Sequence, residues 1–148
     1  MSNTAQRILI VGGGYAGFYT AWHLEKRARR GEVEVTVVDP LPYMTYQPFL
    51  PEVAAGSIEA RHAVVAMRRH LKHTTVVAAK VTGINHAAKV ATITPIEGEA
   101  WQQEYDQIVV TAGAVSRTFP IPGIADNAIG LKTIEEAVAK AEKLASEA

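Results

Sequence analysis

The chain has 148 residues, enough to bury a core of ordinary size, with fifteen basic and fifteen acidic side chains and no net charge. That balance gives no electrostatic reason for nucleic acid as a partner. There is no cysteine, so disulfides, thiolate metal sites and thiol redox chemistry are excluded for these residues.

The first predicted element is a short apolar strand at residues 8–11, which stops at a glycine cluster. Gly12, Gly14 and Gly17 fit the pattern G-x-G-x-x-G, with Gly13 at its second position. A helix is predicted over residues 15–30, with Ala16, Tyr19, Ala21, Trp22 and Leu24 as inward candidates. Its basic end (Arg27, Arg29 and Arg30) suits the negative pole of the helix dipole, and Gly31 stops it. A second apolar strand, residues 33–38, ends in Asp39. Strand, tight turn, helix, parallel strand and acid form the order that binds an adenine dinucleotide.

Each part has a physical reason. Gly12 permits the sharp turn off the strand. Gly14 lets the backbone approach a pyrophosphate, and Gly17 lets the helix pack close to the sheet. N–H groups of Gly14, Tyr15 and Ala16 in the first turn are placed to face an anion, with the helix dipole behind them. Asp39 can accept hydrogen bonds from ribose hydroxyls, and its charge disfavours a 2′-phosphate.

Residues 40–57 carry Pro40, Pro42, Tyr43, Tyr46, Pro48, Phe49 and Pro51, a density that forbids a long helix or a central strand. Taken alone, such a loop either lines a ligand pocket or covers the core. A short helix is predicted over residues 63–71, with Arg68, Arg69 and His70 outward. Residues 75–82, 89–94 and 100–105 then read as an antiparallel three-stranded meander, with turns at Asn85-His86 and Glu97-Gly98. Residues 106–111 are a buried strand that re-enters the parallel sheet and ends at Ala112-Gly113. A turn at residues 120–123 precedes a last helix from Ile134, where Thr133 and Glu136 have capping-box spacing.

The five histidines show no metal-ligand spacing, so no metal site is expected. The apolar run at residues 8–11 is too short for a secretory signal, and no window approaches 18 apolar residues. The expectation from this is a cytoplasmic α/β domain: a Rossmann-like parallel sheet with flanking helices and an inserted antiparallel three-stranded meander.

The glycine start, the meander and a strand ending Thr111-Ala112-Gly113 together resemble the two-dinucleotide-binding flavoprotein fold, in which the first glycine motif binds FAD. Three further stretches sharpen the likeness. They are Tyr43-Met-Thr-Tyr-Gln-Pro-Phe-Leu-Pro-Glu-Val-Ala-Ala-Gly56, Arg61-His62 and Arg117-Thr-Phe-Pro-Ile-Pro-Gly123. With them, residues 7–137 resemble type II NADH dehydrogenase, a membrane-peripheral NADH:quinone oxidoreductase. The resemblance implies that Gly12, Gly13, Gly14, Tyr15, Ala16 and Gly17 surround the FAD pyrophosphate and that Asp39 and Pro40 sit at the adenosine ribose. It further implies that Val81 meets adenine through its backbone, that Ala112 and Gly113 flank the dinucleotide, and that Gln47 and Pro48 approach the flavin. The loop of residues 40–57 then reads as pocket lining, with Tyr46 and Phe49 taken as core aromatics ahead of ring stacking.

Family members are longer. Their NADH-binding glycine motif, a second FAD segment and an amphipathic part for membrane and quinone have no counterpart in these residues. The chain is therefore expected to be the N-terminal part of an FAD-binding domain. Residues 138–148 form a generic helical tail unlike the family, which suggests a truncated or engineered end. The fragment alone is expected to be inactive, and oligomerisation is left open. Disulfide reductases and sulfide:quinone oxidoreductases of this fold need cysteines, which are lacking here. The rival readings are an NAD-binding Rossmann domain without flavin and a non-catalytic or engineered flavin-domain scaffold.

Overall fold

The structure, a computed structural model, describes residues 5–29, 31–117 and 119–147. The expectations that touch Arg30, Thr118 and Ala148 lie outside these residues. In chain order the elements are β1 (Gln6–Val11), α1 (Tyr15–Arg27), β2 (Val33–Asp39), β3 (Tyr43–Thr45), α2 (Leu50–Ala54), β4 (Val64–Ala66) and α3 (Met67–His70). Then follow β5 (Thr75–Asn85), β6 (Val90–Pro95), β7 (Trp101–Glu104), β8 (Gln107–Val110), α4 (Ile124–Asn127) and α5 (Ile134–Glu147). The chain divides into two compact units, residues 1–44 with 66–113 and residues 45–65 with 114–148.

The first unit is built on one six-stranded sheet of order β7-β6-β5-β2-β1-β8. β1 pairs in parallel with β2 on one side and β8 on the other, and β2 pairs in parallel with the first half of β5. β5 then runs on into antiparallel pairing with β6, and β6 with β7. The expected three-stranded meander is thus β5-β6-β7, continuous with the parallel sheet through a single long strand. A bulge between Val81 and Gly83 marks its antiparallel half.

The apolar runs become strands because both faces are covered. Leu9, Ile10, Val37 and Val38 are buried, and each such side chain contributes about 1.5–3 kcal/mol. Leu9, Val11, Val38, Ala79, Ala91, Ile93 and Tyr105 form one core cluster. Tyr105 is fully buried, and its hydroxyl is paired with His86 Nδ1 at 3.1 Å. At the start of β1, the Arg7 guanidinium grips Asp106 just before β8 (Nη2 to Oδ1, 2.9 Å) and reaches Glu104 (2.6 Å).

Three expectations for this unit are corrected. α1 ends at Arg27, and its inner face is Gly17, Phe18 and Ala21, while Ala16 and Tyr19 are exposed and Trp22 and Leu24 half-buried. Gly17 makes the closest approach of the helix and so sets its phase. The helix expected over residues 63–71 is only Met67–His70, because Val64–Ala66 pairs as β4 with β3. β-branched Val64 and Val65 suit a pleated strand better than a helix. Arg68, Arg69 and His70 do face outward.

A carboxylate also ties α1 to the loop before β5. Glu25 accepts backbone hydrogen bonds from Lys72 (3.1 Å) and His73 (2.8 Å). Partial burial works against its ionised form, yet the nearby polar groups of Thr74 and the hydrogen bonds from His73 and Lys72 outweigh it and hold its pKa below the ordinary glutamate range.

The second unit is a small helical cluster. Leu50, Val53, Ala54, Ala63 and Ala137 are buried together, with Ile58, Ile134 and Val138 packed around them. The capping box is formed: Glu136 N–H donates to Thr133 Oγ1 (3.2 Å), and Thr133 N–H donates to Glu136 Oε2 (3.0 Å). Lys132 N–H donates to the same oxygen (2.6 Å). Tyr46 and Phe49 are not core aromatics. They are 37% and 42% exposed and meet edge to face at 4.8 Å, because the apolar side of this segment is supplied by Leu50 and Val53 one turn on. The short helix α4, preceded by Gly123 in the left-handed region (φ 82°), was not anticipated.

Candidate functional site: the carboxyl end of the parallel sheet

The registers align the carboxyl ends of four parallel strands. Val11 stands opposite Val38 and Val110, so Gly12, Asp39 and Thr111 are the next residues on three neighbouring strands. Asp39 in turn stands opposite Ala78 of β5. From β1 the chain moves to one side through β2 to β5, then returns on the other side as β8. The connections therefore part at β1, which makes the crevice outside its carboxyl end a topological switch point.

The glycine turn occupies this place, and its glycines have different reasons. Gly12 lies at φ 98°, and a Cβ there would strike the Thr111 carbonyl and stand 3.1 Å from Ala112 Cα. Its N–H donates to the Val38 carbonyl (2.9 Å). A Cβ on Gly17 would strike the Gly12 carbonyl and stand 2.8 Å from Thr111 Oγ1. Gly14 is the N-cap of α1 with no side-chain cap, and nothing lies within 4 Å of where its Cβ would stand. The protein itself thus demands glycine at 12 and 17, whereas at 14 the space is left for something else.

Asp39 does more than the sequence implied. Its Oδ2 accepts the Gly13 N–H (2.6 Å) and its Oδ1 accepts the Leu41 N–H (2.8 Å). The carboxylate therefore pins the glycine turn to the end of β2. Each oxygen has a second lone pair, so two further donors, such as ribose hydroxyls, still fit. Thr111 is a contributor whose role the sequence reading missed. Its hydroxyl stands 2.9 Å from both the Val11 and the Gly12 carbonyl, and its N–H donates to Val11 (2.8 Å). Met67, fully buried and packed against Gly13, was missed as well. No local pattern marks it, since it arrives from a distant element.

The remaining residues are placed as follows. Gly12, Gly13, Gly14, Tyr15, Ala16, Gly17 and Asp39, with Pro40 directly after it, belong to the strand-end row and the first turn of α1. Ala112 and Gly113 follow Thr111 at the exposed end of β8, with Gly113 at φ 71°. Val81 pairs with Ile93, three residues past the position opposite Asp39, on the same side of the parallel strands' ends. Gln47 and Pro48 are exposed residues of a 3-10 turn in the second unit.

The profile of the pyridine nucleotide-disulphide oxidoreductase family matches residues 6–147. Among curated proteins, the chain is 30% identical over 136 residues to the type II NADH:quinone oxidoreductase of Staphylococcus aureus, covering 90% of this chain and 33% of that protein. It is also 30% identical over 141 residues to the external alternative NAD(P)H-ubiquinone oxidoreductase B2 of Arabidopsis thaliana mitochondria, covering 89% of this chain and 24% of that one. The chain thus spans a quarter to a third of the length of these relatives. The solved structure of NDH2 from Plasmodium falciparum in complex with NADH has the same fold, with a TM-score of 0.83 at 24% identity over 93% of this chain and 28% of that one. With the family profile spanning nearly all of its residues, the chain belongs to the pyridine nucleotide-disulphide oxidoreductase family.

Proposed function

We propose that the chain is the FAD-binding N-terminal part of an NADH:quinone oxidoreductase. The observation that carries this reading is the glycine turn at the switch point: α1 has no side-chain cap, Gly14 is open, and Asp39 stands beside it with lone pairs to spare. These residues fit a dinucleotide. First-turn N–H groups of Gly14, Tyr15 and Ala16 would hold the pyrophosphate, helped by the dipole of α1. Asp39 and Pro40 would hold the adenosine ribose, and the charge of Asp39 would reject a 2′-phosphate. Val81 would border the adenine, Ala112 and Gly113 the linked phosphates, and Gln47 and Pro48 the flavin.

When bound, the flavin supplies two-electron carriage between NADH and quinone. The residues present bind and orient it. Among the described residues none is placed as an acid or base, and in this reading the NADH and quinone sites and attachment to a membrane surface belong to the parts of the longer relatives that these residues do not match. Disulphide chemistry, which the family name includes, finds no thiol in this chain.

Titration with FAD and separately with NADH, followed by flavin absorbance at about 450 nm and by intrinsic fluorescence, tests the reading. FAD should bind, and Gly14→Val should abolish binding. Affinity for NADH alone would favour an NAD-binding Rossmann domain, and affinity for neither a scaffold without cofactor.

A further inference from the structure

Gly13 is not explained by the fingerprint, whose second position is unconstrained. Its backbone lies outside the left-handed region, so any residue has access to that conformation. What forbids a side chain is local. A Cβ on Gly13 would stand 2.5 Å from Met67 Sδ, 2.6 Å from Met67 Cε and 3.2 Å from Asp39 Cβ. Met67 has no accessible surface. Its backbone is fixed as well, with its N–H donating to the Pro42 carbonyl (3.1 Å) and its carbonyl accepting from Leu71 N–H (2.8 Å). A Cβ at Gly13 therefore requires the buried thioether itself to shift, the one part of Met67 that its backbone hydrogen bonds do not hold.

We infer that Met67 is the positioning residue of the glycine turn: its buried thioether sets where the Gly13 peptide rests, and so the aim of the amides that follow. The inference rests on the reading of this turn as a phosphate cradle. Two contacts define the Gly13 peptide. Its N–H is drawn to Asp39 Oδ2 (2.6 Å), and the Met67 thioether, on the same side of Gly13 as Asp39 Cβ, stops the turn from settling closer. Removing the thioether removes the stop. The Gly13 peptide then has room to settle further on that side, and Gly14, next in the chain, shifts with it.

The test is a double-mutant cycle on the full chain with Gly13→Ala, Met67→Ala and both together. Gly13→Ala overpacks the site and is expected to weaken FAD about tenfold. Met67→Ala is expected to weaken FAD about threefold and to move the Gly13 amide resonance in a ¹⁵N–¹H spectrum. The double variant should bind no worse than Met67→Ala alone, since each change makes room for the other. A loss near the product of the two, about thirtyfold, overturns the inference, as does an unmoved Gly13 resonance. A merely structural methionine would lower stability and leave the affinity of the folded protein intact. Should the wild-type chain have no affinity for FAD, the proposed function falls, and the cycle is read from urea midpoints instead. There the double variant should regain the stability lost by Gly13→Ala, and independent losses would overturn the role of Met67. If Met67→Ala does not fold, Met67→Val takes its place in the same cycle.

Discussion

At the scale of single residues, the glycine turn separates demands that a fingerprint merges. Gly17 is required by the protein, because its Cβ would strike the Gly12 carbonyl, and relief would mean lifting α1 off the sheet. Gly14 meets nothing. Gly17→Ala is therefore expected to cost about 1–3 kcal/mol in urea unfolding, as overpacking does. Gly14→Ala should cost less than about 1 kcal/mol, the scale of a changed N-cap. Equal losses would show that Gly14 too is held by internal packing, and the case for an external ligand there would weaken. Asp39 shows the same double duty. A carboxylate that already holds Gly13 and Leu41 by their N–H groups is a structural acid first, and its fitness for a ribose depends on the lone pairs left over.

At the scale of elements, the legible parts are those whose cause is local. β1, the glycine turn, α1 and β2 could be read because apolar runs, a left-handed Gly12 and an acid follow one another within 34 residues of chain, Gln6 to Asp39. The capping box of α5 could be read for the same reason. What escaped depends on distant partners. Val64–Ala66 is a strand because Tyr43–Thr45 lies beside it. β5 serves two sheet directions because β2 and β6 flank different halves of it. The inner face of α1 is decided by one close contact at Gly17, which no hydrophobic periodicity records. The cap itself gives a graded expectation. Thr133 accepts one N–H, while Glu136 accepts two, from Lys132 and Thr133. Thr133→Ala should cost about 1 kcal/mol, and Glu136→Ala more, up to about 2 kcal/mol. Urea unfolding of the two variants side by side checks the order, and a reversed order would mean that the Thr133 hydroxyl dominates the cap.

For the whole molecule, with no net charge, stability against acid rests on particular carboxylates. Arg7 holds Asp106 down to about pKa 2, first by their side-chain hydrogen bonds and then by its backbone N–H. Glu25 is held low by the hydrogen bonds of residues 72–74. Both groups bind a proton more readily when unfolded than when folded. Their contributions are therefore complete above the unfolded carboxylate range, about pH 4, and are lost as pH falls through the lower folded values. Urea midpoints should be flat from neutral pH down to about 5 and fall between about 4 and 2. Asp106→Asn should be less stable at neutral pH and fall less steeply across that window, since the carboxylate responsible is gone. Both partners are well exposed, so about 1 M salt should shrink the difference between the variant and the parent. If the variant kept the parent's slope, the pair joining the starts of β1 and β8 would have no share in acid unfolding, and the burden would pass to Glu25. Glu25→Gln, which keeps shape while weakening the acceptor for the Lys72 and His73 N–H groups, would then carry the flattened profile instead.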